Sequence, residues 1–159
     1  MVVAGVGSPY RLDDGAGPAV ASAVAARLPA AVDIGPIAEP LDLLGRWDGA
    51  ELAVLVDATR SGSPPGTVQI IDLDRSGTGA GTGTGGRAPS GTTSTHGVGL
   101  AGAIRLARAL EEAPPRIVVV GIEGERFGDG EGLSPAVRAS VAEAVRLVLS
   151  FVEEVHPCA

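Results

Sequence analysis

The stretch at residues 5–18 constrains the fold of this chain more than any other, because it joins a strand, a tight loop and a helix. The apolar run Val2-Val3-Ala4 precedes the loop, and an Ala/Val-rich helical pattern over residues 19–28 follows it. Glycines let a backbone pass close to a neighbour or adopt positive φ. The loop also carries two adjacent carboxylates, Asp13 and Asp14, directly before the predicted helix.

A dinucleotide-binding loop is one explanation of these glycines, and the spacing argues against it. A Rossmann fingerprint needs a third glycine three residues after the second, whereas Tyr10 stands there. Two aspartates at the helix start would also repel the phosphate that such a loop binds. A structural role stays open for each aspartate, since acids near a helix start favour the macrodipole and cap free amides; Asp13 is the better candidate for that role alone.

Composition restricts the partners of the chain. Its 159 residues suit one domain over residues 1–159, and a net charge of −7 disfavours nucleic acid. No apolar run has the length of a membrane span, and the N-terminus lacks the basic region of a secretory signal. The lone Cys158 forms no internal disulfide and no cysteine zinc site. We expect a cytoplasmic monomer that binds neither nucleic acid nor membrane.

Apolar segments alternate along the chain between strand and helix patterns. The run at residues 52–56 is continuous, which is typical of a strand covered on both faces, and it ends at Asp57. The connection to the next strand, at residues 67–73, is too short for a crossover helix, so that strand is expected to be antiparallel and at an edge. Further strands are predicted at residues 32–37 and 117–122. Helices are predicted at residues 19–28 and 100–110, as a short helix around residues 41–47, and from the N-cap pair Ser134-Pro135 to residue 149.

This order predicts an α/β fold: a three-layer α/β/α sandwich with about five mostly parallel strands and one antiparallel edge strand. Residues 75–95 are dominated by Gly, Thr and Ser without hydrophobic periodicity. Such a segment buries too little apolar surface to become ordered, and it predicts a flexible loop.

Two acids and a histidine are the candidate site. Ligands of open α/β sheets bind beyond the carboxyl ends of the strands, where Asp14 follows the first strand and Asp57 ends the third. His96 opens the helix after the Gly/Thr-rich loop and is expected to face the same crevice. Two carboxylates and one imidazole suit zinc or nickel and leave coordination positions open. Structural roles remain the alternative: a turn cap for Asp57, and a helix-start contact for His96.

An ordered set of motifs across nearly the whole chain resembles the hydrogenase maturation endopeptidases, which trim a C-terminal extension from the large subunit of nickel–iron hydrogenases. The matching motifs are Gly5-Val6-Gly7-Ser8, Asp13-Asp14-Gly15-Ala16-Gly17, Leu55-Val56-Asp57-Ala58-Thr59, Pro65-Gly66, Ser94-Thr95-His96, Val120-Gly121 and Gly132-Leu133-Ser134-Pro135. Two features depart from the family pattern: Ser8 replaces an Asn, and residues 75–95 are unusually rich in Gly and Thr.

The resemblance implies a protease whose partner is a hydrogenase large-subunit precursor. It implies that Asp14, Asp57 and His96 are the catalytic, metal-contacting residues, and that the metal is nickel supplied by the substrate protein rather than a permanently bound cofactor. A metal-polarised carbonyl and a carboxylate-activated water are both open as the route of hydrolysis. The alternative is a non-catalytic module that binds a metal or a metalloprotein on the same fold.

Overall fold

The structure, a computed structural model, describes residues 1–28, 33–74 and 99–155. The loop predicted at residues 75–95, and His96 with it, lies outside these residues. Within them the chain forms five strands and three α-helices: β1 (Val2–Val6), α1 (Ala16–Ala25), β2 (Asp33–Ile37), β3 (Leu52–Thr59), β4 (Val68–Asp74), α2 (Leu100–Ala109), β5 (Arg116–Glu123) and α3 (Pro135–Val155). None of the helices in these three segments has the length and apolar character needed to cross a bilayer.

The strands form one sheet in the order β2-β1-β3-β5-β4. Neighbouring strands are parallel except at one edge, where β4 runs antiparallel to β5. The expected α/β architecture, mostly parallel with one antiparallel edge strand, is therefore confirmed. The carboxyl ends of β1, β3 and β5 lie side by side, and this edge of the sheet carries the candidate site.

The continuous apolar run of β3 is explained by helices on both faces of the sheet. Val54 and Val56 pack on the face covered by α1 and α3. Ala53 and Leu55 pack on the opposite face, with α2 and the buried Trp47. Because successive strand residues point to opposite faces, a strand buried on both sides needs an apolar residue at every position.

Several predicted boundaries differ from the structure, and three of these differences have a clear structural reason. Helix α1 begins at Ala16 rather than at residue 19, because the 3-10 turn Asp13–Gly15 runs directly into it. Strand β3 does not end at Asp57; it continues through Thr59, since its last three residues still pair with β5. The short helix expected around residues 41–47 is a single 3-10 turn, Pro40–Leu43.

Helix α1 crosses β1 and β3 in direct backbone contact, and two glycines make this possible. A Cβ on Gly5 would overlap the carbonyl of Gly17. A Cβ on Gly17 would lie 2.5 Å from the carbonyl oxygen of Val56 and equally close to that of Val6. No side chain of any size fits between these elements, so the contact brings the loop before α1 over the end of β3.

Replacing Gly17 with Ala tests this contact. We expect Gly17→Ala to lower the free energy of unfolding by about 3 kcal/mol or to prevent folding, since the clash is with main-chain atoms that cannot move alone. Urea denaturation followed by circular dichroism measures the change. The control is Ser22→Ala on the exposed face of α1, which should be neutral or slightly stabilising. Equal stability of Gly17→Ala and the native chain would contradict the close approach.

Candidate functional site

Asp14 and Asp57 are brought together at the carboxyl ends of β1 and β3. Both side chains are nearly inaccessible, with exposed fractions of 3% and 6%. They are close enough for the charge of Asp14 to act directly on Asp57. His96 lies outside the described residues, so the structure gives two members of the expected trio.

The pKa of Asp57 is raised from 3.8 to about 7. Burial is the largest cause, and the negative charge of Asp14 adds to it, while a hydrogen bond from the amide of Ala58 acts in the opposite direction. The two carboxylates therefore carry less than two full charges at neutral pH. A bound cation would offset the repulsion and favour the ionised form of Asp57, which is the electrostatic condition of a metal-binding or proton-transferring site.

The loop after β1 fixes the orientation of Asp14. The amide of Ser8 donates a hydrogen bond to Asp14 Oδ2 at 2.9 Å. Gly7 makes this turn possible with a φ of 126°, and a Cβ there would overlap the carbonyl of Asp14. The bond to Asp14 comes from the main chain, so it does not depend on whether residue 8 is Ser or Asn. The Ser8 hydroxyl has a separate contact, accepting a hydrogen bond from the amide of Tyr10 at 3.3 Å.

Asp13, the acid adjacent to Asp14, holds in place the loop at residues 124–134, which joins β5 to α3. Its carboxylate accepts hydrogen bonds from the amides of Glu125 (2.9 Å), Arg126 (2.7 Å) and Ser134 (2.6 Å). Burial alone would raise the pKa of Asp13, but the amides of Arg126, Ser134 and Glu125 together lower it below 3.8. Asp13 is therefore a structural acid, as the capping hypothesis expected.

The capping partner differs from the expected one. Neither the Asp13–Gly15 turn nor α1 receives a side-chain cap, so Asp13 does not serve its own helix. It binds the residue that precedes α3 instead. Helix α3 does begin at Pro135 as predicted, but the Oγ of Ser134 is buried without a hydrogen-bond partner among the described residues. Asp13, more than a hundred residues earlier in the chain, thus fixes the residue that precedes α3 through its backbone amide.

Leu12, immediately before the acidic pair, has a strained backbone. Its φ of 53° and ψ of −122° are unusual for a branched residue. The surrounding loop holds it there: the Leu12 amide donates to the carbonyl of Gly130 at 3.0 Å, and the Leu12 carbonyl accepts from Gly15 at 3.0 Å. Backbone strain that neighbouring contacts maintain is common at functional sites, and here it turns the chain so that Asp13 and Asp14 point to different places.

Glu123 is a buried acid that the sequence reasoning missed. It ends β5 opposite Thr59, the last residue of β3. Its carboxylate accepts hydrogen bonds from the Thr59 hydroxyl, from the amide and hydroxyl of Ser61, and from the amide of Gly62, at 2.8–3.0 Å. The available signal was an acid that terminates a buried apolar strand, the same pattern that singled out Asp57.

The chemistry of the described site is that of a buried carboxylate pair. No group of three Asp, Glu, His or Cys side chains within residues 1–28, 33–74 and 99–155 is arranged to hold a metal ion. Asp14 and Asp57 supply two oxygen donors, so any further ligand must come from elsewhere in the chain or from a bound molecule. Such a pair can bind a divalent cation or move a proton to and from water.

Comparisons with known proteins show the family of the chain and structures with the same fold. A family model described as hydrogenase maturation protease matches residues 30–151. The solved structure of the hydrogenase maturating endopeptidase HybD from E. coli superposes with a TM-score of 0.77 and 28% identity, covering 97% of this chain and 92% of that one. No curated protein sequence matches the chain significantly.

More distant structures support the fold alone. A [NiFe] hydrogenase maturation protease HybD from Thermococcus kodakarensis gives a TM-score of 0.71 at 22% identity, over 94% of this chain and 97% of that one. The [NiFe] hydrogenase maturation protease HycI from Thermococcus kodakarensis KOD1 gives 0.70 at 22% identity, over 96% and 91%.

The raised pKa of Asp57 predicts how its removal changes stability with pH. The folded state holds the Asp57 proton more tightly than the unfolded state, so this stabilisation is complete below pH 3.8 and is lost as pH rises to about 7. With a chelator present, Asp57→Asn should therefore be more stable than the native chain at pH 8, by up to about 4 kcal/mol, and the difference should shrink towards pH 4. Urea denaturation at each pH measures it. Asp48→Asn, an exposed acid, is the control, and a pH-independent difference for Asp57→Asn would contradict the raised pKa.

Substitution by the corresponding amide should affect stability differently at the two structural acids, Asp13 and Glu123. Asp13→Asn places an NH₂ group against backbone amides that can only donate, and we expect a loss of about 2 kcal/mol in the free energy of unfolding. Glu123→Gln should lower the free energy of unfolding clearly less. The glutamine Oε1 can still accept hydrogen bonds from the amides of Ser61 and Gly62, and the hydroxyls of Thr59 and Ser61 can accept hydrogen bonds from its NH₂ group. Chemical denaturation compares the two, and an equal or reversed order would refute these donor assignments.

Proposed function

The chain belongs to the hydrogenase maturation protease family, and from this premise we propose that it removes the C-terminal extension of a nickel–iron hydrogenase large-subunit precursor once nickel has been inserted. The chain is a peptidase of hydrogenase maturation. The proposal adds the position of the cut and its dependence on nickel. Nickel in this scheme is part of the substrate, so the site needs to recognise it rather than store it.

The observation that carries the proposal is the buried pair Asp14 and Asp57, in which burial, and to a smaller extent the charge of Asp14, raises the pKa of Asp57 to about 7. A site that binds metal only transiently benefits from ligands that are neutralised when empty, because two bare carboxylates in a buried place are costly. Arrival of the precursor's nickel would release the Asp57 proton and make both groups ligands. The metal-free precursor offers no such compensation, so its scissile segment would not be held.

The third ligand in this proposal is His96, which the family motif Ser94-Thr95-His96 supplies. Two carboxylates and an imidazole leave positions for the ligands that the precursor itself provides. Two routes of hydrolysis remain compatible with this set: nickel polarises the scissile carbonyl, or Asp14 or Asp57 takes a proton from the attacking water. Either way the chain's own task is to place the peptide beside the pair and exclude bulk water.

The family match favours this reading over the non-catalytic binding module. Ser8 is no obstacle, because the hydrogen bond to Asp14 comes from its main chain. The cytoplasmic location, the monomeric state and the single domain over residues 1–159 stay predictions.

The proposed reaction is tested by intact-mass spectrometry of a large-subunit precursor incubated with the purified protein, with and without nickel loaded. We expect loss of a C-terminal fragment only from the nickel-loaded sample. Asp14→Asn, Asp57→Asn and His96→Ala should each slow cleavage at least about 100-fold, as removal of a metal ligand or proton-transfer group does. Asn is used at the two acids because both are buried and an amide preserves their volume.

The control is again Asp48→Asn, an exposed acid in the loop that leads into the opposite end of β3, which should cleave at the native rate. Binding of the cognate precursor without any cleavage would identify the binding module instead. Cleavage at the native rate by one of the three variants would remove that residue from the site.

A further inference from the structure

Arg60 stands at the mouth of the site and has no part in the reaction as described so far. It directly follows Thr59, the last residue of β3, and lies three residues beyond Asp57. Its side chain is exposed.

The main chain around Arg60 is fixed on both sides. The amide of Gly124 donates to the Thr59 carbonyl at 3.0 Å, and the Glu123 carboxylate accepts from the amides of Ser61 and Gly62. These hydrogen bonds are made by the residues on either side of Arg60. The position of the Arg60 Cα is therefore determined by the end of β5.

The side chain is fixed as well. The Arg60 Cζ lies 4.1 Å from the centroid of the Phe127 ring, a cation–π contact. Phe127 in turn packs against Gly124, where its ring occupies the space that a Cβ would need. Gly124 adjoins the two residues whose amides bind Asp13. Arg60 thus packs against the loop that Asp13 holds in place.

The ring packs on the guanidinium, and no hydrogen bond of the Arg60 N–H groups is made to a residue within 1–28, 33–74 or 99–155. Among the residues that the structure describes, no carboxylate pairs with Arg60, whereas Arg116 bonds both Asp72 and Glu154. A guanidinium that is already held in one orientation loses little entropy when it binds a ligand. A carboxylate fits its paired N–H donors by accepting two parallel hydrogen bonds.

From this geometry we propose that Arg60 is a substrate-binding residue that anchors a carboxylate of the precursor at the mouth of the Asp14–Asp57 site. The inference rests on the proposed function, because the carboxylate belongs to the precursor. The chain has a net charge of −7, so an acidic group of the substrate is repelled by most of its surface and attracted to this point. The carboxylate has two possible sources, an acidic side chain of the C-terminal extension or the chain terminus itself.

Kinetics on the nickel-loaded precursor test the proposal. Arg60→Ala should raise KM about tenfold or more and leave kcat within about twofold, because a charge-assisted bond outside the reacting atoms contributes to binding alone. The KM of Arg60→Lys should lie between those of the native chain and Arg60→Ala, since an ammonium keeps the positive charge but cannot donate two parallel hydrogen bonds. Phe127→Leu should raise KM less than Arg60→Ala, because it loosens the guanidinium without removing it. Arg146→Ala, on the exposed face of α3, is the control and should change neither constant.

The source of the carboxylate is found by repeating the comparison with altered precursors. One precursor ends in a C-terminal amide, and another has the acidic residues of its extension changed to Asn and Gln. The effect of Arg60→Ala should vanish for the precursor that lacks the partner carboxylate, as in a double-mutant cycle. An undiminished effect on both precursors would overturn the carboxylate assignment, and an unchanged KM or a loss confined to kcat would overturn substrate binding by Arg60.

Failure of the proposed function gives a different result. In that case the native chain would not cleave the nickel-loaded precursor at all, and the equilibrium Kd for the same precursor replaces KM. A Kd raised by Arg60→Ala but not by Arg146→Ala would support the anchoring role without catalysis. Equal Kd values for Arg60→Ala and the native chain would overturn it.

Discussion

The contact between Gly5 and Gly17 is the constraint on which the rest of the site depends. It allows α1 to cross β1 and β3 at main-chain distance, without any intervening side chain. The loop that precedes α1 is thereby placed over the end of β3, and Asp14 comes close to Asp57. A wider crossing would separate these carboxylates and admit water between them, which would remove both the burial and the mutual repulsion that raise the pKa of Asp57.

The buried carboxylates at this edge of the sheet have two different roles, structural or functional, and the hydrogen bonds that each accepts show which role it has. Asp13 and Glu123 each accept hydrogen bonds from several donors in neighbouring loops, so each links two chain segments. Asp57 is similarly buried, but its surroundings favour the protonated form. A carboxylate that accepts hydrogen bonds from several donors is typical of a structural acid. A pKa raised by burial and by a nearby like charge is typical of a functional acid.

The sequence allowed the architecture to be predicted because its strands and helices carry clear hydrophobic patterns. The continuous run of β3 indicated burial on both faces, and the short connection before β4 indicated an antiparallel edge. The candidate acids Asp14 and Asp57 could be named because each comes after a continuous apolar run in the sequence. The role of Glu123 could not be predicted, since nothing in the sequence indicates which loop an acid at a strand end will bind.

The sequence by itself determined the fold class, the family and two of the acids that meet, because these depend on periodicity and on motifs that are local in the chain. Only the tertiary structure decided that Asp13 links two loops and that Asp57 has a raised pKa. Asp13 and Asp14 are adjacent, yet one binds amides more than a hundred residues away and the other lies beside Asp57. Partners so distant in sequence are set by how the loops pack, and only the folded chain brings them within hydrogen-bonding or Coulombic range.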